Sequence, residues 1–142
     1  MNKILTMIMF SFLLVVFFTF SFFSCQGETS TTTTTVASPS VTVNLTGADI
    51  QNGKKVYVIL IGGDLEVKKF SSATIENGKA TIVLNNVSKD TYVLNCFIDV
   101  NENANTAKPE PDTGDKVSNT NNFSVDGNKS QDITYTSMVD NI

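Results

Sequence analysis

The sequence predicts an all-β fold: a single antiparallel Greek-key β-sandwich of about seven strands over residues 41–142. Three observations lead there. Apolar residues recur at every second position in several short segments, the period of a strand with one buried face. Turn dipeptides punctuate the gaps, namely Asn52-Gly53, Asn77-Gly78 and Asp126-Gly127, with Gly62-Gly63-Asp64 between them. Asn-Gly and Asp-Gly accept the positive φ that tight hairpins require. No segment in this region carries helical periodicity of useful length.

The strands follow in order. Val41, Val43 and Leu45 alternate with Thr42 and Asn44. Val56 to Ile61 is continuously apolar and rich in β-branched residues, which predicts a central strand buried on both faces. Val67 and Phe70 mark a shorter, edge-like segment. Ala80, Ile82 and Leu84 alternate with Thr81 and Val83. Tyr92, Leu94, Cys96 and Ile98 alternate with Val93, Asn95 and Phe97. Phe123 with Val125, and Ile133 with Tyr135, complete the set. A region of about 100 residues is enough for a two-sheet core of modest stability.

Ahead of this domain lie two segments of other kinds. Residues 1–24 start with Lys3, run apolar from Ile4 to Phe23 and end on small Ser24, the pattern of an export signal. The apolar run is also long enough to span a bilayer uncleaved, and an ordinary secreted protein is a third reading. Residues 25–40 begin with Cys25 and continue through the run Thr31 to Thr35 to Ser40. They lack apolar periodicity, so a disordered linker that lifts the domain off a surface is expected. A glycosylated stalk would have the same composition.

Phe22-Phe23-Ser24-Cys25, followed at once by a polar tether, resembles the bacterial lipobox, in its looser spirochaete-like form. That resemblance implies cleavage before Cys25, diacylglycerol on its thiol and acylation (palmitate or similar) of the new amine. Two or three chains hold a protein firmly at a bilayer where one does not. It further implies a cell-envelope location, and Gln26 after the cysteine resembles outer-membrane or surface sorting signals if the host is a diderm.

A second resemblance lies within the domain. Asn77-Gly78-Lys79-Ala80-Thr81-Ile82-Val83-Leu84, then Val87, Asp90-Thr91-Tyr92 and Phe97-Ile98-Asp99-Val100-Asn101, is similar to the rhythm of prealbumin-like sandwiches. These are the carboxypeptidase-regulatory-like and transthyretin-like domains of secreted and surface proteins. The resemblance implies a non-catalytic adhesion, stalk or binding module.

Composition narrows the functions. The 142 residues carry a formal charge of −4, and removing residues 1–24, with Lys3 as their one charge, leaves −5. All basic residues are lysines and none cluster, which argues against nucleic acid. The absence of His removes the commonest general base and every Ser-His or Cys-His nucleophile system. No enzyme activity is expected, and paired carboxylates, as in glycoside hydrolysis, are the only acid–base chemistry left. Cys96 sits mid-strand among apolar residues and reads as a buried free thiol, although a disulfide with Cys25 is conceivable on count alone.

The most chemical stretch runs from Asp99. Asp99, Asn101 and Asn103 stand at alternate positions, Asn105 offers a backbone carbonyl, and Glu110 falls at the twelfth position of an EF-hand count. Ala104 replaces the turn glycine, so a looser oxygen-rich Ca²⁺ loop using Asp112 or Asp115 in place of Glu110 is the alternative. Such ligands select hard cations. A plain solvated loop has the same composition, because Asn and Asp are turn residues. The stretch Val100–Thr120 is also long, which marks it as the place for partner recognition. Asn44, Asn86, Asn122 and Asn128 begin glycosylation sequons, relevant only in a eukaryotic host. Tyr92 reads as a structural corner tyrosine.

The expectation is therefore a monomeric, membrane-anchored lipoprotein presenting a small sandwich at the cell envelope, with a protein or carbohydrate partner left open. An envelope Ca²⁺ or small-ligand binder is the alternative, and a carboxylate hydrolase the last.

Overall fold

The structure, a computed structural model, describes residues 37–142; residues 1–24, Cys25 and the linker as far as Val36 lie outside the described residues. Residues 37–142 belong to one compact unit.

The domain is an all-β sandwich of eight strands in two sheets. β1 (Val41–Thr46), β4 (Ala80–Leu84) and β7 (Lys129–Thr134) make a three-stranded sheet in the order β4-β1-β7. β2 (Lys55–Ile61), β3 (Val67–Thr74), β5 (Asp90–Asp99), β6 (Lys116–Val125) and β8 (Val139–Asp140) make the second, in the order β3-β2-β5-β6-β8. The inward residues of the period-two pattern meet between the sheets: Val41, Val43 and Leu45 from β1, Ile82 and Leu84 from β4, Val56, Val58 and Leu60 from β2, and Leu94, Cys96 and Ile98 from β5. Tyr92 shares this core, and its hydroxyl donates to the Ser88 carbonyl (3.0 Å), closing the corner where the chain crosses from β4 to β5.

The structure departs from the sequence reading in four places. β1 pairs with β7 in parallel, Val41 opposite Lys129 and Thr46 opposite Thr134, so the sandwich is antiparallel except at this one ladder. β6 begins at Lys116, although its first seven residues are mostly polar; the ladder to β5 holds them extended. The long connection therefore ends at Asp115, short of Thr120. β7 ends at Thr134, because Tyr135–Ser137 turns into a 3₁₀ segment that returns the chain to pair Val139 with Val117 as the eighth strand.

Two poles result. Thr46, Lys55, Thr74, Ala80 and Asp99 mark one end: Lys55 pairs with Thr74 and with Asp99, and Leu45 pairs with Ala80. The connection 47–54 and the β3–β4 turn lock together there, with the Ala48 amide on the Gly78 carbonyl (3.0 Å) and the Gly53 amide on the Ile75 carbonyl (2.9 Å). The chain enters at the other end. The Val87 amide donates to the Pro39 carbonyl (2.9 Å), the Lys129 amide to the Ser40 carbonyl (2.9 Å), and the Ser40 amide to Asn128 Oδ1 (2.9 Å).

Candidate functional site: the loop opposite the chain entry

The outer face of the five-stranded sheet is the unusual one. A sheet face turned to water is ordinarily polar. Here Tyr57 and Ile59 of β2, Phe97 of β5 and Val117 of β6 form a second buried cluster on it. Tyr57 and Phe97 stack with ring centroids 5.0 Å apart and planes 13° from parallel. Ala104 packs on this cluster and Pro109 is buried, so the connection Val100–Asp115 folds back over the half of the face next to its own pole. The apolar run is thus buried on both sides from Val56 to Leu60, as its composition predicts, and half-buried at Ile61.

Three carboxylates brace that connection. Asp99, outward-facing like Phe97 and buried, accepts from the Asn103 amide on Oδ1 (3.0 Å) and from the Ala104 amide on Oδ2 (3.2 Å). Asp115, fully buried, accepts from the Val100 amide on Oδ1 (3.0 Å) and the Asp112 amide on Oδ2 (3.1 Å). Asp112 accepts from the side-chain amides of Asn101 (2.9 Å) and Asn103. Buried carboxylates that each take two amide hydrogens satisfy backbone groups a coiled segment would leave orphaned. Burial pushes the Asp115 carboxyl above its ordinary range; its two backbone hydrogen bonds pull the other way, and the Asp112 and Asp99 charges add to the rise.

Two ties fix the loop to the rest of the domain. Lys54 reaches Glu102 (2.8 Å), and this partner holds the Glu102 carboxyl below its usual range. The C-terminal strand zips along the loop's other limb: the Asn141 amide donates to the Asp115 carbonyl (2.8 Å), the Gly114 amide to the Asn141 carbonyl (2.8 Å), and Asn141 Nδ2 to the Asp112 carbonyl (2.9 Å). Neither tie carries a sequence signal, because each joins residues far apart in the chain whose types are common on any surface.

The structure gathers Asp99, Asn101, Asn103, Asp112 and Asp115 into one network and leaves two predicted ligands outside it. Asn105 closes a local turn, its Oδ1 accepting from the Ala107 amide (2.9 Å), and exposed Glu110 pairs with Lys108 (2.7 Å). Among the described residues no group of three or more His, Cys, Asp or Glu side chains converges as a metal site would require. A cleft of about 340 Å³ opens between the loop and the start of β2, with Lys55, Tyr57, Asp99, Glu102 and Thr106 on its walls. Burial, and next the Asp99 charge, raises the Tyr57 phenol. Cys96 lies on the opposite, inter-sheet side of β5, where burial pushes its thiol up to about 12. Cys25 lies outside the described residues.

The chain matches no protein-family model, no curated protein and no solved structure.

Proposed function

We propose that the chain is a lipid-anchored envelope lipoprotein, tethered through Cys25, that presents this sandwich as a binding or structural module. The observation that carries the reading is the opposition of the two poles. The chain enters beside Asn86–Ser88 and Asp126–Asn128, and the braced loop Val100–Asp115 lies at the far end of β5. A tether leading back to a lipid on Cys25 would point that loop, with the cleft beneath it, away from the bilayer. Surface loops positioned by a rigid scaffold are where recognition is commonly found. We read the sandwich as prealbumin-like, in keeping with the rhythm from Asn77 to Asn101, which spans β4, its crossover and the whole of β5. Intact mass of the membrane-extracted protein tests the anchor. A mass starting at Cys25 with added acyl groups, lost in Cys25→Ser, is expected; a mass starting at Met1, or an unmodified soluble form, overturns it.

One observation favours a second reading, Ca²⁺ binding at the same loop: five oxygen-bearing side chains, three of them carboxylates, already share one network. A divalent cation would relieve the mutual repulsion of Asp99, Asp112 and Asp115 if Asn101 and Asn103 turned their oxygens inward. Calorimetric titration of chelator-treated protein should then give saturable Ca²⁺ binding, roughly in the 10⁻⁴–10⁻³ M range of extracellular modules. Asp112→Asn should weaken it and Glu110→Gln should not. No saturable heat in that range removes the reading.

A further inference from the structure

The pole at which the chain enters carries apolar surface that the fold leaves uncovered. The tight β2–β3 turn is closed by the Gly62 amide on the Glu66 carbonyl (2.9 Å) and the Leu65 amide on the Gly62 carbonyl (3.0 Å). At its tip Leu65 is 85% exposed and holds a φ of +65°. The left-handed region crowds the Cβ of any residue that has one, a strain Gly would avoid and Asn lessen. A leucine there thus carries a backbone penalty and a solvation penalty together.

One exposed leucine needs no explanation, but Leu65 has neighbours. Val67 pairs with Ile61, which pairs in turn with Val93, and Phe70 pairs with Ile59. These side chains share the outer sheet face, and Val67 and Phe70 are each 38% exposed. The loop Val100–Asp115 covers the other half of that face and leaves this half open.

Charge sorts between the poles. At the entry end Lys68 is paired with both Asp64 and Glu66, and Lys129 with Asp126, while Lys69 and Lys89 stand there with Asp90, so lysines and carboxylates balance. The opposite end carries Asp99, Glu102, Glu110, Asp112, Asp115 and Asp140 against fewer lysines. An anionic surface would repel the loop pole and tolerate the entry pole.

We infer that the entry pole docks on a lipid surface, with Leu65 at the headgroup boundary and Val67 and Phe70 beside it. The inference rests on the acyl anchor at Cys25. The chain from Cys25 to Val41 reaches at most about 58 Å fully extended, at about 3.3–3.6 Å per residue. An anchored pole therefore meets the bilayer at high effective concentration, and a patch too weak to bind alone suffices. The docked state fixes the direction in which the Val100–Asp115 loop faces.

The test uses the full acylated protein in vesicles of phosphatidylethanolamine and phosphatidylglycerol, with and without brominated lipid. The chain has no tryptophan, so Leu65→Trp places a single reporter at the tip. Ile50→Trp, at a position 78% exposed on the opposite pole, is the control. The expected result is a blue-shifted emission for Leu65→Trp, quenched by roughly two-fold or more by brominated lipid, with Ile50→Trp unmoved. A second variant guards against a reporter artefact. Leu65→Asn, which suits the positive φ, should lessen the quenching of a Phe70→Trp reporter. Protein that floats with the vesicles while Leu65→Trp stays unquenched overturns the docking and spares the anchor. Protein that neither floats nor carries acyl mass overturns both. A blue shift without lipid quenching assigns the patch to a second copy of the chain and likewise overturns the inference.

Discussion

Replacing Phe97 by Ala tests whether the Val100–Asp115 loop lies on the sheet as a packed layer. Phe97 is fully buried on a face that would be open to water without the loop, and it stacks on Tyr57 at 5.0 Å. Truncating a buried Phe costs about 3–5 kcal/mol through lost transfer energy and the cavity left behind. The stacked pair adds about 0.5–1.5 kcal/mol of its own. The loop can settle part of the way into the gap, so a loss of about 3–4 kcal/mol is expected. With a urea slope of about 1.5–2 kcal/mol per molar, the unfolding midpoint should fall by roughly 2 M. Val83→Ala is the control: Val83 faces out from the three-stranded sheet, is exposed and should cost no more than about 0.5 kcal/mol. Equilibrium urea unfolding followed by far-ultraviolet circular dichroism measures both. A loss below about 1 kcal/mol for Phe97→Ala would mean that the loop does not cover the sheet in solution, and the account of the braced loop would fail with it.

Four further outcomes follow from named contacts. Asp115, whose carboxyl is raised in the folded state, contributes most to stability when protonated; its contribution falls as pH rises from its unfolded value of 3.8 through the raised folded one. Carboxyl NMR titration should place the Asp115 midpoint above 3.8, with Asp64 and Asp126, held down chiefly by Lys68 and Lys129, below it. Gly78→Ala should cost at least about 1 kcal/mol in thermal or urea unfolding, since Gly78 has φ +71° and a Cβ there would meet the Asp49 carboxylate; Gly63→Ala, with open space at the Cβ, should be near neutral. Tyr92→Phe removes the bond to the Ser88 carbonyl and should cost about 0.5–1.5 kcal/mol in the same assay. Cys96 should resist a thiol reagent such as dithionitrobenzoate in the native domain and react only on unfolding, because its thiol is both buried and raised.

The inter-sheet core was legible because period-two alternation is a direct projection of burial. Val41-Val43-Leu45, Ala80-Ile82-Leu84 and Leu94-Cys96-Ile98 all point inward as their spacing requires. Pairing is less local. Nothing within Val41–Thr46 says that its second neighbour is Lys129–Thr134, or that the two run in parallel. The stretch Lys116–Asn122 hides a strand because its order comes from the ladder to β5, which a polar side chain can join as well as an apolar one. At the loop, residue types identified the oxygen-rich segment, yet which oxygens meet depends on chain reversal. Asp112 and Asp115 fold back onto the end of β5, whereas Glu110, at the twelfth position, turns out to Lys108. The continuous apolar run of β2 signalled a second covered face without naming its cover.

The parallel ladder between β1 and β7 also sets a schedule. β1 occupies the middle of its sheet, but only one of its neighbours, β4, follows within the next forty or so residues; the other does not begin until Lys129, after every other strand of the domain except β8. A chain delivered N-terminus first cannot complete the three-stranded sheet, or close the core over Ile133, until β7 has emerged. Closing such long-range pairings is slow, of the order of milliseconds to seconds for sandwiches. Folding thus waits on the delivery of β7, and loss of residues 131–142 would strip four of the six residues of β7 with all of β8 and leave β1 exposed along part of one side.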